Sequence, residues 1–257
     1  YVKTSTEKIN PMIKVLNELK YDAAIIGNHE FNYGMELLND AVEKSDFPWL
    51  SCNIINEKNG EPYFGKPYVV KEYEGIKIAV LGVTTHYIPN WENPSNIVGL
   101  SFEDALETTK HWVGKINLEE NPDLLVVSYH GGFENHLSTG ESTEVLTGEN
   151  QAYEMCKQIK GIDVLLTGHQ HRMIAESTVN DVLVVQPGVN GQYLGKVTIT
   201  FEKEDGKWKI VTKKAELLSV EGMEEDETVV QSIKEYEDAT QKWLDQPMGT
   251  ITGNMLV

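Results

Sequence analysis

Apolar residues recur at helical spacing over Met12, Ile13, Leu16 and Leu19, with Asn10 placed to cap and Pro11 at the first helical position. The next segment, Asp22 to Ile26, is apolar without alternation, the pattern of a strand buried on both faces of a parallel sheet. That succession repeats. A helix over Met35 to Lys44 leads to a short strand near Pro48 to Leu50, and Ile76 to Val83 forms another strand. Ser101 with Asp104 reads as a capping box for a helix reaching Ile116. Strands at Asp123 to Val127 and Asp163 to Thr167 flank a helix over Glu149 to Lys160 that Gly161 stops, and Asp181 to Val185 is one more apolar strand. After Gly195 the period becomes two: Val197, Ile199 and Phe201 alternate with polar neighbours, and Asp205-Gly206 turns the chain into Trp208 to Val211. The elements predict an α/β fold, a mixed and largely parallel central sheet flanked by helices, followed by an antiparallel C-terminal meander.

The texture changes again at Glu221 to Glu227, which is acidic and has no core face. Val229, Val230, Ile233, Tyr236, Thr240 and Trp243 then mark a mostly polar helix that Pro247 ends, either a spacer or a solvated surface helix. Charge narrows the function classes. With 22 Lys and Arg against 40 Asp and Glu in 257 residues, the formal net charge is −18, and no basic cluster is left to follow a nucleic-acid polymer or an anionic membrane. The apolar runs fall far short of the roughly 20 residues that span a bilayer as a transmembrane segment. Cys52 and Cys156 leave a disulfide, free thiols and simple packing all open, with packing the default. The chain opens at Tyr1 with neither an initiator Met nor a leader pattern, so a targeting segment is expected to be absent or removed.

Three of the apolar strands run into metal-capable residues. They read Asp22-Ala-Ala-Ile-Ile-Gly-Asn28-His29-Glu30, Asp123-Leu-Leu-Val-Val-Ser-Tyr-His130-Gly-Gly132 and Asp163-Val-Leu-Leu-Thr-Gly-His169-Gln-His171. In an open parallel sheet, ligands bind outside the carboxyl ends of the strands, so three such endings would gather Asn28, His29, His130, His169 and His171. Imidazole nitrogens and an amide oxygen suit borderline divalent ions. Taken singly, each motif has an ordinary explanation: Gly168-His-Gln-His171 as a chance loop, His130 as a satisfied histidine at the core edge, Asn28 as a cap or turn residue. Those explanations would have to hold at all three strand ends. His111 reads as a surface residue, while His86 and His136 follow strands closely enough to line the crevice.

Gly27-Asn-His-Glu30, His130 followed by glycines and Gly168-His-Gln-His171, in that order, resemble the second half of the calcineurin-like metallophosphoesterase signature. The strings Gly27-Asn-His-Glu-Phe-Asn-Tyr-Gly34 and Gln186-Pro-Gly-Val-Asn-Gly-Gln-Tyr-Leu-Gly195 are similar to the 5'-nucleotidase family, above all its 2',3'-cyclic-nucleotide 2'-phosphodiesterase/3'-nucleotidase branch. The resemblance implies a metallophosphoesterase-type β-sandwich and hydrolysis of a nucleotide or small phosphate ester. It implies two divalent metal ions of zinc, manganese or similar kind, with Asn28, His130 and His169 on one, His171 on the other, and a hydroxide generated between them. His29 would be catalytic, holding the phosphate or protonating the leaving oxygen, with Asn32 adjacent to the substrate. The ions would also supply positive charge to a chain of net charge −18. Relatives of this kind are commonly exported or held at the cell surface, which makes an extracytoplasmic address the expectation.

Two departures qualify the likeness. The family's earlier Asp-x-His and Gly-Asp motifs occur nowhere in the chain, so most ligands of one ion and the bridging carboxylate are missing, and an N-terminal piece carrying the first strand or two is expected to have been removed or not to be included. Asn32 stands where 5'-nucleotidases proper often carry Asp, and an amide can orient His29 without stabilising its charged form as a carboxylate would. The expected organisation is a catalytic domain at 1–220, an acidic linker and spacer helix at 221–246, and at 247–257 a stub of a nucleotide-binding domain. Two competing readings are a catalytically incompetent metal- or phosphate-binding assembly module, and a metal-dependent amidohydrolase barrel. The second ranks last because its His-x-His pair normally closes an early strand. Oligomeric state is not legible.

Overall fold

In the computed structural model, which describes residues 9–249, four of the apolar runs become the middle of a six-stranded sheet. In chain order the strands are β1 (Ala24–Ile25), β2 (Trp49–Leu50), β3 (Ile54–Asn56), β4 (Tyr68–Tyr73), β5 (Ile76–Thr84), β6 (Leu100–Phe102), β7 (Leu124–His130), β8 (Val164–Thr167), β9 (Met173–Val179), β10 (Val182–Pro187), β11 (Tyr193–Glu204) and β12 (Lys207–Ser219). The helices are α1 (Pro11–Glu18), α2 (Met35–Glu43), α3 (Ala105–Glu119), α4 (Ala152–Gln158) and α5 (Glu227–Leu244). The large sheet has the order β4-β5-β7-β8-β10-β9. Strands β5, β7, β8 and β10 are parallel, and β4 and β9 close the two edges as antiparallel hairpin partners. Both hairpin turns, Glu74-Gly75 and Asn180-Asp181, place two successive residues at positive φ, the form whose twist matches the strands it joins. The mixed, largely parallel sheet flanked by helices and followed by an antiparallel C-terminal hairpin, expected from the sequence, is the observed architecture.

Alternation along the parallel strands divides the core between two faces. On one face Leu81, Val83, Leu125, Val127, Tyr129, Leu165 and Val184 pack with Val113 and Ile116 of α3 and Met155 and Cys156 of α4. On the other, Leu124, Val164, Leu183 and Val185 meet Ala215, Val197, Ile199, Phe201 and Leu217 of the β11–β12 hairpin. Cys52 and Cys156 are both free thiols buried in the first of these clusters, which answers the question the sequence left open.

Two sequence expectations are corrected. The Asp22 to Ile26 run does not join the large sheet: only Ala24–Ile25 is strand, paired in parallel with Trp49–Leu50 as a separate two-stranded sheet that packs over β5. Its two strand residues are half-buried, not enclosed on both faces. Ser101 is not a cap either, because Leu100–Phe102 pairs antiparallel with Ile54–Asn56. The N-cap of α3 is Asp104 itself, whose side chain accepts from the Glu107 N–H at 2.9 Å.

The described residues fall into two compact units. The larger comprises residues 22–39 and 48–223, with all the strands, α3 and α4. The smaller comprises residues 9–21, 40–47 and 224–249, in which α1 packs on α5 and Tyr236 donates its hydroxyl to the Ile9 carbonyl at 2.6 Å. Asn10 caps α1 through a bond from the Met12 N–H, as its sequence pattern predicts. Of the expected stub at 247–257, residues 250–257 lie outside the described residues. No described helix is long and apolar enough to cross a membrane.

Candidate functional site

Strand register brings the site residues level with one another. In β7 and its neighbours, Thr84 is opposite His130 and Tyr129 opposite Thr167, so β5, β7 and β8 end at the same height. His130 is the last residue of β7, and His169 follows β8 by two residues. The two imidazoles meet edge to face with centroids 5.4 Å apart. From the small sheet, the chain leaves β1 through Gly27 and opens a short 3-10 turn at His29–Phe31, anchored by buried Phe31 against Phe102. Asn28 stands at the cap position of that turn but makes no capping bond. Its Oδ1 lies 2.8 Å from His130 Nε2 instead. Asn28, His130 and His169 are therefore brought together from three separate strand endings.

Gly27 makes the approach possible. A Cβ there would lie 2.7 Å from Glu30 Oε2 and 2.8 Å from His130 Cε1, closer than real Cβ contacts come. The Glu30 carboxylate accepts the Gly27 N–H at 2.7 Å and holds the turn, and its burial pushes its pKa up against that bond. His130 is driven to about 4, first by burial and then by the fields of His169, His29 and His171, so at neutral pH it is an uncharged imidazole with a lone pair to offer. The other three sequence-predicted histidines thus all act on His130, although His29 and His171 are solvent-exposed while His130 and His169 are half-buried.

His169 and His171 both adopt left-handed backbone, at φ of 65° and 59°. Gln170 between them turns inward, accepting the Phe133 N–H at 2.8 Å and donating to the Phe133 carbonyl at 3.0 Å and to Glu144 at 3.2 Å. The alternation sends the histidines and the glutamine to opposite sides of the turn. His169 Nε2 is 2.9 Å from Glu149 Oε1, and the Glu149 carbonyl is fixed by the Thr85 hydroxyl at 2.7 Å and the Tyr129 hydroxyl at 3.2 Å. The Trp91 ring lies over His169 at 5.3 Å and against Tyr87 at 5.0 Å. His29 Nδ1 is 2.8 Å from Asn32 Oδ1, and Asn32 donates in turn to Glu92 at 2.7 Å.

The other histidines serve elsewhere. His86 accepts from the Ala105 N–H at the start of α3, His136 is tied to Ser138 and Thr139 within its own loop, and His111 lies exposed beside Trp112. Glu149, Trp91 and Glu92 carry no motif that marks them as site residues, because each arrives from a loop whose path the sequence does not give, while Gln170 belongs to the Gly168-His-Gln-His171 string and only its bonds to Phe133 reveal its part. Glu30 belongs to the Gly27-Asn-His-Glu30 string, yet only the bond to Gly27 reveals its part.

By their chemistry Asn28, His130 and His169 could hold one divalent ion: Asn28 Oδ1 lies 2.8 Å from Nε2 of the neutral His130, and the neighbouring His169 is a second borderline nitrogen donor. For a second ion the described residues offer His171 alone from the expected set. Among the described residues, no group of three or more His, Cys, Asp or Glu side chains converges.

Residues 4–173 match the family Calcineurin-like phosphoesterase. The chain is 28% identical to the trifunctional nucleotide phosphoesterase protein YfkN of Bacillus subtilis over 95% of its own length and 18% of that protein's. It is 29% identical to the 2',3'-cyclic-nucleotide 2'-phosphodiesterase/3'-nucleotidase of Salmonella typhimurium, over 96% of this chain and 41% of the relative. Among solved structures, a candidate 5'-nucleotidase of Staphylococcus aureus superposes with a TM-score of 0.81 at 34% identity, covering 96% of this chain and 47% of that one. The chain therefore spans less than half the length of these two curated relatives.

Proposed function

The chain belongs to the calcineurin-like phosphoesterase family, and on that premise we propose that it hydrolyses phosphate esters with the help of divalent metal, its substrates being nucleotides. The observation that carries the reading is the meeting of Asn28, His130 and His169 at the ends of β1, β7 and β8, with His29 on the turn that supplies Asn28. Further support comes from relatives named as nucleotidases and cyclic-nucleotide phosphodiesterases. Asn32 inclines the proposal to the 2',3'-cyclic phosphodiesterase/3'-nucleotidase type. Residues 1–220 would form the catalytic domain and 221–246 the linker and spacer helix.

Family members generally use two metal ions, which when bound polarise phosphoryl oxygens and lower the pKa of water. In this chain Asn28, His130 and His169 would hold one ion, with His171 contributing to the other. His130 is kept neutral for that purpose by burial and by its histidine neighbours. His29 hydrogen-bonds to Asn32 through Nδ1, which leaves Nε2 to face the ester. As the phosphorus–oxygen bond breaks, the doubly protonated ring of His29 gives its Nε2 proton to the leaving oxygen and is left as the neutral Nδ1–H tautomer held by Asn32, and Nε2 takes up a proton from solvent before the next cycle. Trp91, over one face of His169, shields that ring from water.

The test loads the full chain with zinc or manganese, counts bound ions after dialysis, and follows hydrolysis of bis(p-nitrophenyl) phosphate and 2',3'-cyclic AMP. Turnover that chelation abolishes and added metal restores is the expected result. A chain that binds metal and turns over neither ester with either ion overturns the proposal.

A further inference from the structure

Asn32 presents His29 with an amide, which can either accept from a ring N–H or donate to a ring lone pair. The two choices put the imidazole proton on different nitrogens. What decides between them lies on another part of the chain. Asn32 Nδ2 is 2.7 Å from Glu92 Oε2, contributed by the loop between β5 and β6. A carboxylate only accepts, so the Asn32 amino group must turn towards Glu92 and its Oδ1 towards His29 Nδ1, 2.8 Å away. The Glu92 side chain is itself fixed: Oε1 accepts from Asn96 Nδ2 and from the Asn93 N–H, each at 2.8 Å, and Asn96 also reaches the Asn32 carbonyl at 3.3 Å. Burial works against the charge on Glu92. The bonds from Asn96, Asn32 and Asn93, with the field of His29, nevertheless hold its carboxyl below the usual range, so it is ionised at neutral pH.

We propose that Glu92 is the positioning residue for His29, acting through Asn32 to keep one proton on Nδ1 of the imidazole, so that the proton exchanged with the ester and with solvent is the second one, on Nε2. The chain His29–Asn32–Glu92 restores, one residue further out, the anionic end that an amide next to the histidine lacks. This rests on the role given above to His29, and it adds that the acid controlling the histidine comes from a distant loop. Glu92 touches no reacting atom. Its effect is on the direction of an amide and the place of a proton.

The experiment compares the full chain with Glu92→Gln and with the double variant Asn32→Asp, Glu92→Gln. In Glu92→Gln the new amide can donate or accept, so Asn32 is free to turn over. In the double variant the carboxylate at position 32 accepts from His29 while the amide at position 92 donates to that carboxylate, which rebuilds the chain with its second link reversed. Long-range 1H–15N NMR on the metal-free protein should find neutral His29 in the Nδ1–H tautomer, a rise of the Nε2–H tautomer in Glu92→Gln, and a return to Nδ1–H in the double variant. In the metal-loaded protein, kcat for 2',3'-cyclic AMP should fall at least about ten-fold in Glu92→Gln, part of the roughly 10²–10⁴-fold that a general acid contributes. KM and metal content should stay near their original values, and the double variant should recover most of the loss. An unchanged tautomer in Glu92→Gln overturns the proposal, as does a kcat loss that the double variant fails to recover. If the wild-type chain hydrolyses no ester, the functional reading fails, and the tautomer measurement alone then decides the role of Glu92.

Discussion

Replacing Gln170 with Ala tests whether the turn carrying His169 and His171 is held from beneath. The glutamine satisfies both backbone groups of Phe133, a fully buried residue, through bonds of 2.8 and 3.0 Å. Alanine would leave that N–H and carbonyl without partners, at about 1–3 kcal/mol each for a buried orphan. Because Gln170 is only half-buried, water entering the space would satisfy part of the deficit. The lower end of the combined range, about 2–3 kcal/mol, is therefore expected. With a urea dependence of roughly 1–3 kcal/mol per molar, the unfolding midpoint should fall by about 1 M. A second effect should accompany the first. His169 and His171 are held in left-handed backbone, a conformation that costs roughly 1–2 kcal/mol per residue, and without Gln170 the turn can relax away from it. Zinc titration should then show weaker binding in Gln170→Ala. Gly132→Ala offers an independent route to the same end, since its Cβ would lie 2.2 Å from Gln170 Cδ and Oε1. A midpoint shift below about 0.2 M in both variants, with zinc affinity intact, would refute the reasoning.

Other outcomes follow from the same geometry. His169→Ala should lower bound zinc and turnover together, whereas His29→Ala should lower turnover and leave zinc content nearly unchanged, as metal analysis beside the ester assay would reveal; loss of metal from His29→Ala would contradict its assignment. Gly27→Ala should drive Glu30 or His130 from its place and weaken metal binding, and wild-type affinity would show that the turn has more room than these contacts allow. Glu134, whose carboxylate accepts from the N–H groups of Tyr153 and Glu154 at the start of α4, has its pKa raised chiefly by burial. The native state then keeps a proton that the unfolded chain releases near pH 4.5, so this group's contribution to stability is full below that pH and is lost as pH rises through the native value. Urea midpoints between pH 4 and 7 should accordingly move in favour of Glu134→Gln, relative to wild type, as pH rises; a constant gap would contradict the shift.

Much of this architecture is legible in the sequence because the parallel strands are continuous apolar runs whose helices carry plain stop signals. β5, β7, β8 and β10 fall where Ile76 to Val83, Asp123 to Val127, Asp163 to Thr167 and Asp181 to Val185 place them. The edge strand β4 escapes notice because Tyr68 to Tyr73 mixes apolar and charged residues, although Glu74-Gly75 is the kind of pair that turns a hairpin. β3 and β6 are three residues each, too short for a period to register. Ala24–Ile25 is misplaced for a different reason: an apolar run records burial but not which sheet provides it. The same boundary divides the site. His130 and His169 are visible because each follows a strand of the large sheet, and their convergence needs only the rule that parallel strands finish together; Asn28 follows β1 in the separate small sheet, and its approach to His130 depends on tertiary packing. Glu92 and Glu149 reach the histidines through loop conformation and tertiary contacts, for which single-sequence patterning carries no signal.

The two thiols have a practical consequence. Cys52 follows β2, Cys156 sits in α4, and both are buried in the helix-side core, with burial raising the first and pushing the second up to about 12. Since only a thiolate reacts with alkylating reagents, the native protein is silent towards them. Covalent labelling would count only molecules in which that layer has come apart, giving the chain two built-in clocks for its opening.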